Sequence, residues 1–429
     1  MPGQSQIVTV EKLVQGGRGL AHVDGQVVFV RGAIPGERVS VVGGARHKGF
    51  QEAAVREVLE ASPDRVSPPC PVYETCGGCQ LQHLGYGAQL AQKAAILRET
   101  LSRVGKLEVG EIPPVVPSPD PYGYRGTVRF VVFRPNQRFA LGFHKEGTNE
   151  PVAASGCLLA PEAVRKTAAA VEERLGGQGR LPMRIESLEI RRSVAFGSVL
   201  LIHRAGPAGR DQAQRLFGLF RDLPDVVGQV VLARDRRRWT DGQDWLADRL
   251  DGLIFRISDR SFAQANWPLN ETLSRTAGDW IEPEAGLRVL DLYAGIGTLG
   301  LPIARRGALV TLVEANPFAL ADARHAAKAN HVGRTRFRPL RAEAMLETVQ
   351  PGDYDVILVD PPRTGLSPDC LQGLTRIAAE RLLYLSCDPA TLARDLGKLC
   401  GSGYRIARLQ AFDLVPQTAH LETLVELTR

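Results

Sequence analysis

No stretch of the 429-residue sequence approaches the roughly 18 uninterrupted apolar residues that a membrane helix needs, so no helical span is expected. The opening residues, MPGQSQIVTVEKLV, lack a basic segment followed by an apolar run, and a secretory signal is not expected either. Internal repeats and low-complexity tracts are missing as well. Cysteine is scarce and odd in number: seven thiols, three of them within ten positions in CPVYETCGGCQLQH (70 to 83). A disulfide framework fits that count poorly, and a metal site in a cytoplasmic protein fits it better.

What is present is ordinary in bulk and uneven in place. Apolar content of 44% and charged content of 23% suit a globular protein, and the length implies roughly two to three domains. The net charge of +6 is modest, but ARDRRRWTD (233 to 241) concentrates four arginines beside a tryptophan, and GARHKGF (44 to 50) forms a second basic patch. Basic residues interleaved with aromatics suit phosphate contact and base stacking, and they also suit a solvated loop.

Three segments differ in rhythm. Residues 1–62 read as short strands with Gly, Pro and Asp-Gly turns, the pattern of a small β-barrel of five or so strands. Residues 63–260 are mixed. GAQLAQKAAILRETLSRV (87 to 104) and PEAVRKTAAAVEERL predict helices, whereas RGTVRFVVFR, ESLEIRRSV and SVLLIHRA predict strands of an antiparallel sheet, giving an α+β domain. Residues 261–429 alternate buried-strand runs (RVLDLYAG, ALVTLVEAN, DVILVDPP, RLLYLSCDP) with helical stretches. That alternation predicts an α/β, doubly wound parallel sheet of Rossmann-like type, with ligands at the carboxyl ends of its strands.

In this last segment LRVLDLYAGIGTLGLPIA (287 to 304) runs from a strand ending in Asp291 into a glycine turn and a helix. Gly295 and Gly297 allow close approach of a ligand to the backbone. Glu314, 23 residues after Asp291, stands where an acid hydrogen-bonds ribose hydroxyls. The turn is D-x-x-x-G-x-G, so a pyrophosphate cradle is missing, and S-adenosylmethionine suits it better than a dinucleotide. VDPPRTGL places Asp360 past a buried strand, and RLLYLSCDPATLARDL does the same for Cys387. Asp388 as N-cap and Pro389 as first helical residue would set Cys387 at a helix N-terminus, which lowers a thiol pKa. Cys370 and Cys400 lack such surroundings and read as inert. FDLVPQTAHLETLVELT offers His420 and Glu422 at the start of a strand with one buried face. Cys70, Cys76 and Cys79, spaced C-x5-C-x2-C, ask for a fourth thiol, and by spacing zinc and an iron–sulfur cluster are equally served.

Taken together, DPPRTG, LLYLSCDPAT and FDLVPQTAHLE resemble the paired signatures of the RNA (uracil-5)-methyltransferase family, in order and with fitting spacing. Residues 1–62 resemble the TRAM domain, an RNA-binding barrel of oligonucleotide-binding type. The 70–83 cysteines with SGC at 155 to 157 are similar to the cluster-binding cysteines of the ribosomal-RNA branch. The resemblance implies a class I methyltransferase domain and a 4Fe-4S cluster on Cys70, Cys76, Cys79 and Cys157, with zinc as the alternative. That cluster would tie the central domain together and shape an RNA surface. It also implies S-adenosylmethionine held by Gln264, Tyr293, Glu314 and Asp360, a nucleophilic Cys387 and a general base Glu422. The product would be 5-methyluridine in 23S ribosomal RNA, made by a cytoplasmic monomer. YGYRGTVRF (122 to 130) supplies candidate contacts to a flipped uridine. Transfer RNA is the alternative substrate, and a non-catalytic RNA-binding or assembly factor is the alternative of another class. Four departures stand out: Asp388 for the usual asparagine, Val415 for phenylalanine, Ala294 for cysteine, and a poor adenine-side match in RAEAM (341 to 345).

Overall fold

The computed structural model describes residues 6–429. Its first unit is built from β1 (Gln6–Thr9), β2 (Lys12–Val14), β3 (Arg18–Val23), β4 (Gln26–Arg31), β5 (Arg38–His47) and β6 (Phe50–Glu60). In the sheet order β1-β5-β6-β4-β3-β2, β1 and β2 are successive pieces of one run lying at opposite edges, so the sheet closes on itself. Closure removes exposed edges, and Val8, Ala21, Val28, Val30, Val39 and Val41 fill the interior. The basic stretch 44–50 is the β5–β6 hairpin: Gly49 takes φ +98° in the turn, and the His47 ring stacks on Phe50 at 4.5 Å.

A helix follows, α1 (Tyr86–Arg103). Its Leu90, Ala94, Leu97 and Leu101 recur at helical spacing, and Leu97 and Leu101 are fully buried, worth about 1.5–3 kcal/mol each. They pack on the third unit, not on the central sheet. Lys93, on the same helix, makes a buried ion pair with Asp413 (2.5 Å).

The central unit holds β7 (Thr127–Phe133), β8 (Ala140–His144), β9 (Pro151–Ala153), α2 (Glu162–Gly176), β10 (Ile185–Arg192), β11 (Val199–Ala205), α3 (Arg210–Gly218), β12 (Val226–Ala233) and β13 (Arg238–Gly242). The sheet order is β13-β12-β11-β10-β7-β8-β9. The expectation of a purely antiparallel sheet is corrected here, because β11 and β12 run parallel. The reason is α3, which carries the chain back across the sheet as parallel neighbours require. The arginine run 233–241 is largely neutralised: Arg234 pairs with Glu186, Arg237 with Asp235, and Arg238 with Asp244 and Asp259.

A hairpin, β14 (Trp245–Leu250) and β15 (Leu253–Ser258), leads into the third unit and shares its core through Leu250, Phe255 and Trp267. The unit continues with α4 (Trp267–Ile281), β16 (Arg288–Leu292), α5 (Gly300–Arg305), β17 (Leu309–Val313), α6 (Pro317–Ala329), β18 (Thr335–Arg338), α7 (Ala342–Thr348), β19 (Val356–Val359), α8 (Pro368–Ile377), β20 (Arg381–Ser386), α9 (Pro389–Gly401), β21 (Arg405–Phe412) and β22 (Glu422–Thr428). The order is β18-β17-β16-β19-β20-β22-β21, parallel except that β22 runs against its neighbours. Three helices open alike, with Asn316, Ser367 or Asp388 capping and proline next. The cap accepts an orphan amide while proline presets the first helical φ. Among the described residues no helix is long and apolar enough to cross a membrane.

Candidate active site

The antiparallel direction of β22 builds the site. Parallel strands β16, β17, β19 and β20 deliver Asp291, Glu314, Asp360 and Cys387 to one end of the sheet, at or just beyond their carboxyl ends. A fifth parallel strand would begin at the opposite end. Because β22 is reversed, it starts where the others finish, and Glu422 is its first residue. Ser386 pairs with Thr423, so Cys387 and Glu422 stand at the next paired position across the ladder. Glu422 was expected on a strand with one buried face, but both faces of β22 are buried, since Leu424 packs into the core on one side of the sheet and Val425 and Leu427 into the core on the other.

Asp388 caps α9 as expected, accepting from the amides of Ala390 (3.0 Å) and Thr391 (2.9 Å). The thiol beside it behaves otherwise. Burial first, and the Glu422 carboxylate second, push Cys387 up to about 11, while Arg363 opposes them. The lowering expected at a helix N-terminus is opposed here by desolvation and by the neighbouring Glu422 carboxyl. Glu422 itself is pushed up to about 8 by burial and by Asp360, against Arg363. Asp360 is pushed up to about 7 by burial and by Glu314. Arg363 is the functional candidate that sequence reasoning passed over; its signal was its place directly after Asp360-Pro-Pro.

The cofactor side is acidic. Glu314 accepts from the amides of Gly295 (3.0 Å) and Asn316 (2.6 Å). Gly295 has φ +56°, and a Cβ there would meet nothing within 4 Å, so the turn leaves open space. Asp291 is buried with neither carboxyl oxygen fully hydrogen-bonded, and burial, Asp360 and Glu314 raise its pKa well above the carboxylate range. A site that disfavours charge on both Asp291 and Asp360 suits a cationic ligand, which lowers the cost of ionising them. Tyr293 sits at φ +61° and points its hydroxyl to Cys370 Sγ at 3.2 Å. Gln264 lies on the segment between β15 and α4, half-buried in a small cavity with Thr127, Arg191 and Trp267. The structure thus couples Cys387, Glu422, Asp360 and Glu314, sets Tyr293 in the neighbouring core, and leaves Gln264 on a separate wall. In the 122–130 segment Tyr124 is buried, its hydroxyl donating to Pro416 O (3.1 Å), which makes it a support of the loop before Glu422 and not an RNA contact.

The four expected ligand cysteines, all free, line one separate cavity of about 260 Å³. Burial pushes Cys79 up to about 12 and also raises Cys76 and Cys157, each thiol further disfavouring a charge on the others. Among the described residues no three His, Cys, Asp or Glu side chains converge on a single metal position.

Comparison with known proteins places this geometry. The family described as tRNA (Uracil-5-)-methyltransferase matches residues 85–429, and the TRAM domain matches residues 1–42. An RNA methyltransferase of Thermosynechococcus vestitus is 32% identical, covering 98% of this chain and 97% of its own length. The 23S rRNA (uracil(1939)-C(5))-methyltransferase of Hahella chejuensis is 31% identical over 99% of this chain and 97% of its own. Among solved structures, the Pyrococcus abyssi tRNA (uracil-54, C5)-methyltransferase with S-adenosyl-L-homocysteine matches with a TM-score of 0.76. It is 25% identical, covering 98% of this chain and 99% of that one.

Proposed function

The chain belongs to the tRNA (uracil-5-)-methyltransferase family of S-adenosylmethionine-dependent enzymes, and from that premise we propose that it methylates carbon 5 of a uridine in 23S ribosomal RNA. The observation that carries this reading is that Cys387 and Glu422 lie across from each other just beyond the last β20–β22 pair, within reach of the Asp360 charge. Uracil carbon 5 is a poor nucleophile. Cys387 gives up its proton to solvent and adds as the thiolate to carbon 6, making an enolate whose carbon 5 can accept a methyl group. Glu422 then takes the carbon 5 proton, and the electrons of that bond restore the 5,6 double bond as the sulfur leaves. A base titrating near 8 is mostly protonated at neutral pH, and Arg363 is the cation that favours its working form.

The cofactor supplies the methyl group. Glu314 is suited to the ribose hydroxyls, and the unpartnered Asp291, with Asp360 nearby, to the positive end of the ligand. Gln264 and Tyr293 complete the proposed set. Cys70, Cys76, Cys79 and Cys157 are proposed to hold a 4Fe-4S cluster. A tetrahedral zinc would draw all four sulfurs to about 2.3 Å of one centre, whereas a cluster meets each thiolate at a separate corner, and the cavity that all four line has room for either. The cluster would supply positive charge to offset four thiolates and a rigid cross-link between residues 70–79 and 157. The barrel's exposed Arg46, His47 and Lys48 are suited to an RNA backbone.

Transfer RNA is the second reading, favoured by the full-length likeness to the Pyrococcus abyssi enzyme. Supplying labelled methyl donor with unmodified 23S ribosomal RNA or unmodified transfer RNA decides between them, with Cys387→Ala as the blank. Label in ribosomal RNA is expected. Label in transfer RNA alone would keep the chemistry and move the substrate.

A further inference from the structure

The loop that ends in Glu422 is held by the segment that begins at Cys79. The amides of Gln80 and Leu81, the two residues after Cys79, both donate to Gln417 O at 3.0 Å. The Gln417 side chain is 2% exposed and is clasped by Gln89. Gln89 Nε2 donates to Gln417 Oε1 (2.9 Å), and the Gln417 amide donates back to Gln89 Oε1 (3.1 Å). The same Gln89 Nε2 reaches the carbonyls of Leu81 and Leu84. Gln80 spans the junction too: its Nε2 donates to Gly77 O (3.1 Å), between two of the cysteines, and its Oε1 accepts from the Ala419 amide (3.3 Å), three residues before Glu422. Gln417 adopts φ +69°, a conformation that a residue with a Cβ rarely takes without being held there.

These contacts leave the base loop little freedom independent of the cysteine loop. We propose that Gln417 is a positioning residue which, with Gln89, locks the Glu422 loop to the Cys76–Cys79 segment, so that the state of the four-cysteine site governs proton removal from carbon 5. The proposal rests on the uracil-5 reading above. In that reaction addition of Cys387 to carbon 6 and methylation do not need Glu422; only the last step does, when carbon 5 loses its proton and the S–C6 bond breaks. A displaced base therefore has its own signature: the covalent protein–RNA adduct forms normally and is released slowly.

The test measures adduct formation and adduct release separately, on ordinary uridine RNA, for the full-length protein and four variants. Gln417→Ala is expected to slow release about 10- to 100-fold, the scale of a small misplacement of a catalytic group, with the formation rate within about threefold of wild type. Gln89→Leu, which removes the clasp from a helix far away in sequence, should do the same, and the double variant should be no worse than either single one. Cys79→Ser should also accumulate adduct, tying the effect to the cysteine site. Affinity for S-adenosylhomocysteine, expected to be unchanged, separates a displaced base from an unfolded domain. Release at the wild-type rate in Gln417→Ala, or a parallel fall in formation and release, overturns the positioning role. Normal release in Cys79→Ser overturns its link to the cysteines. Failure of the wild type to form any adduct with 5-fluorouridine RNA would refute the uracil-5 reading itself, a different result from any of these.

Discussion

The protein uses cysteine in two places, and burial acts on both in the same direction with different consequences. Around the 260 Å³ cavity, Cys76, Cys79 and Cys157 are raised by burial and by one another. Only an added positive charge makes several thiolates stable together there, which is what a metal centre provides. At the carboxyl end of β20, Cys387 is raised by burial and by Glu422, and it has one cationic neighbour in Arg363. A lone thiol held neutral there has only one proton to lose before it becomes a nucleophile. The first set is suited to the proposed metal centre, and the second thiol to the proposed addition to carbon 6.

The largest expected effect sharpens the reactive side. Glu422→Gln should slow release of the RNA adduct by about 10²–10⁴-fold, the usual contribution of a positioned base. In the wild type, release should accelerate as pH rises through about 8, where Glu422 loses its proton, and the variant's profile should be flat. Rapid-quench kinetics between pH 6 and 9 check both. Next in size, Cys79→Ser should break the holding side, lowering bound iron at least roughly 100-fold in affinity, as loss of a ligand's support does. Metal analysis and visible absorbance read this out, while S-adenosylhomocysteine binding should persist. If zinc and not iron accompanies the wild-type chain, the cage is a structural zinc site and the contrast survives with a different ion.

The smallest effect is on stability. The folded pKa of Glu422 is raised to about 8, so the folded state favours the protonated carboxyl. That contribution is complete below the ordinary carboxylate range and is lost as pH rises through about 8. Glu422→Gln, which cannot ionise, should match the wild-type Tm at pH 5 and exceed it at pH 9. A Tm difference that does not change with pH would mean that Glu422 is not the strained group.

Much of this was legible in the residues. Asp388-Pro389 announced the start of α9, and the strand runs ending in Asp291, Glu314 and Cys387 announced one end of a parallel sheet. Local signals suffice where capping and periodicity act over a few residues. What local pattern hides is direction and partnership. Nothing in LETLVEL says that β22 inserts between β20 and β21 in reverse, yet that reversal brings Glu422 to Cys387. The arginines of 233–241 find Glu186, Asp244 and Asp259 only through the fold. Tyr124 looked like a nucleobase contact and is a buried support of Pro416. The sign of the Cys387 shift depends on Glu422, 35 positions away in sequence, and on burial, and neither is visible in SCDP.

The most direct test of the central claim is to trap the intermediate. RNA containing 5-fluorouridine is incubated with the full-length protein and S-adenosylmethionine, and the adduct is digested and sequenced by mass spectrometry. The carbon 5 fluorine cannot be removed as a proton, so the expected product is a methylated fluorouracil joined through carbon 6 to Cys387. Attachment at Cys370 or at a cage cysteine, or methyl transfer into ordinary RNA with no adduct at all, would contradict it.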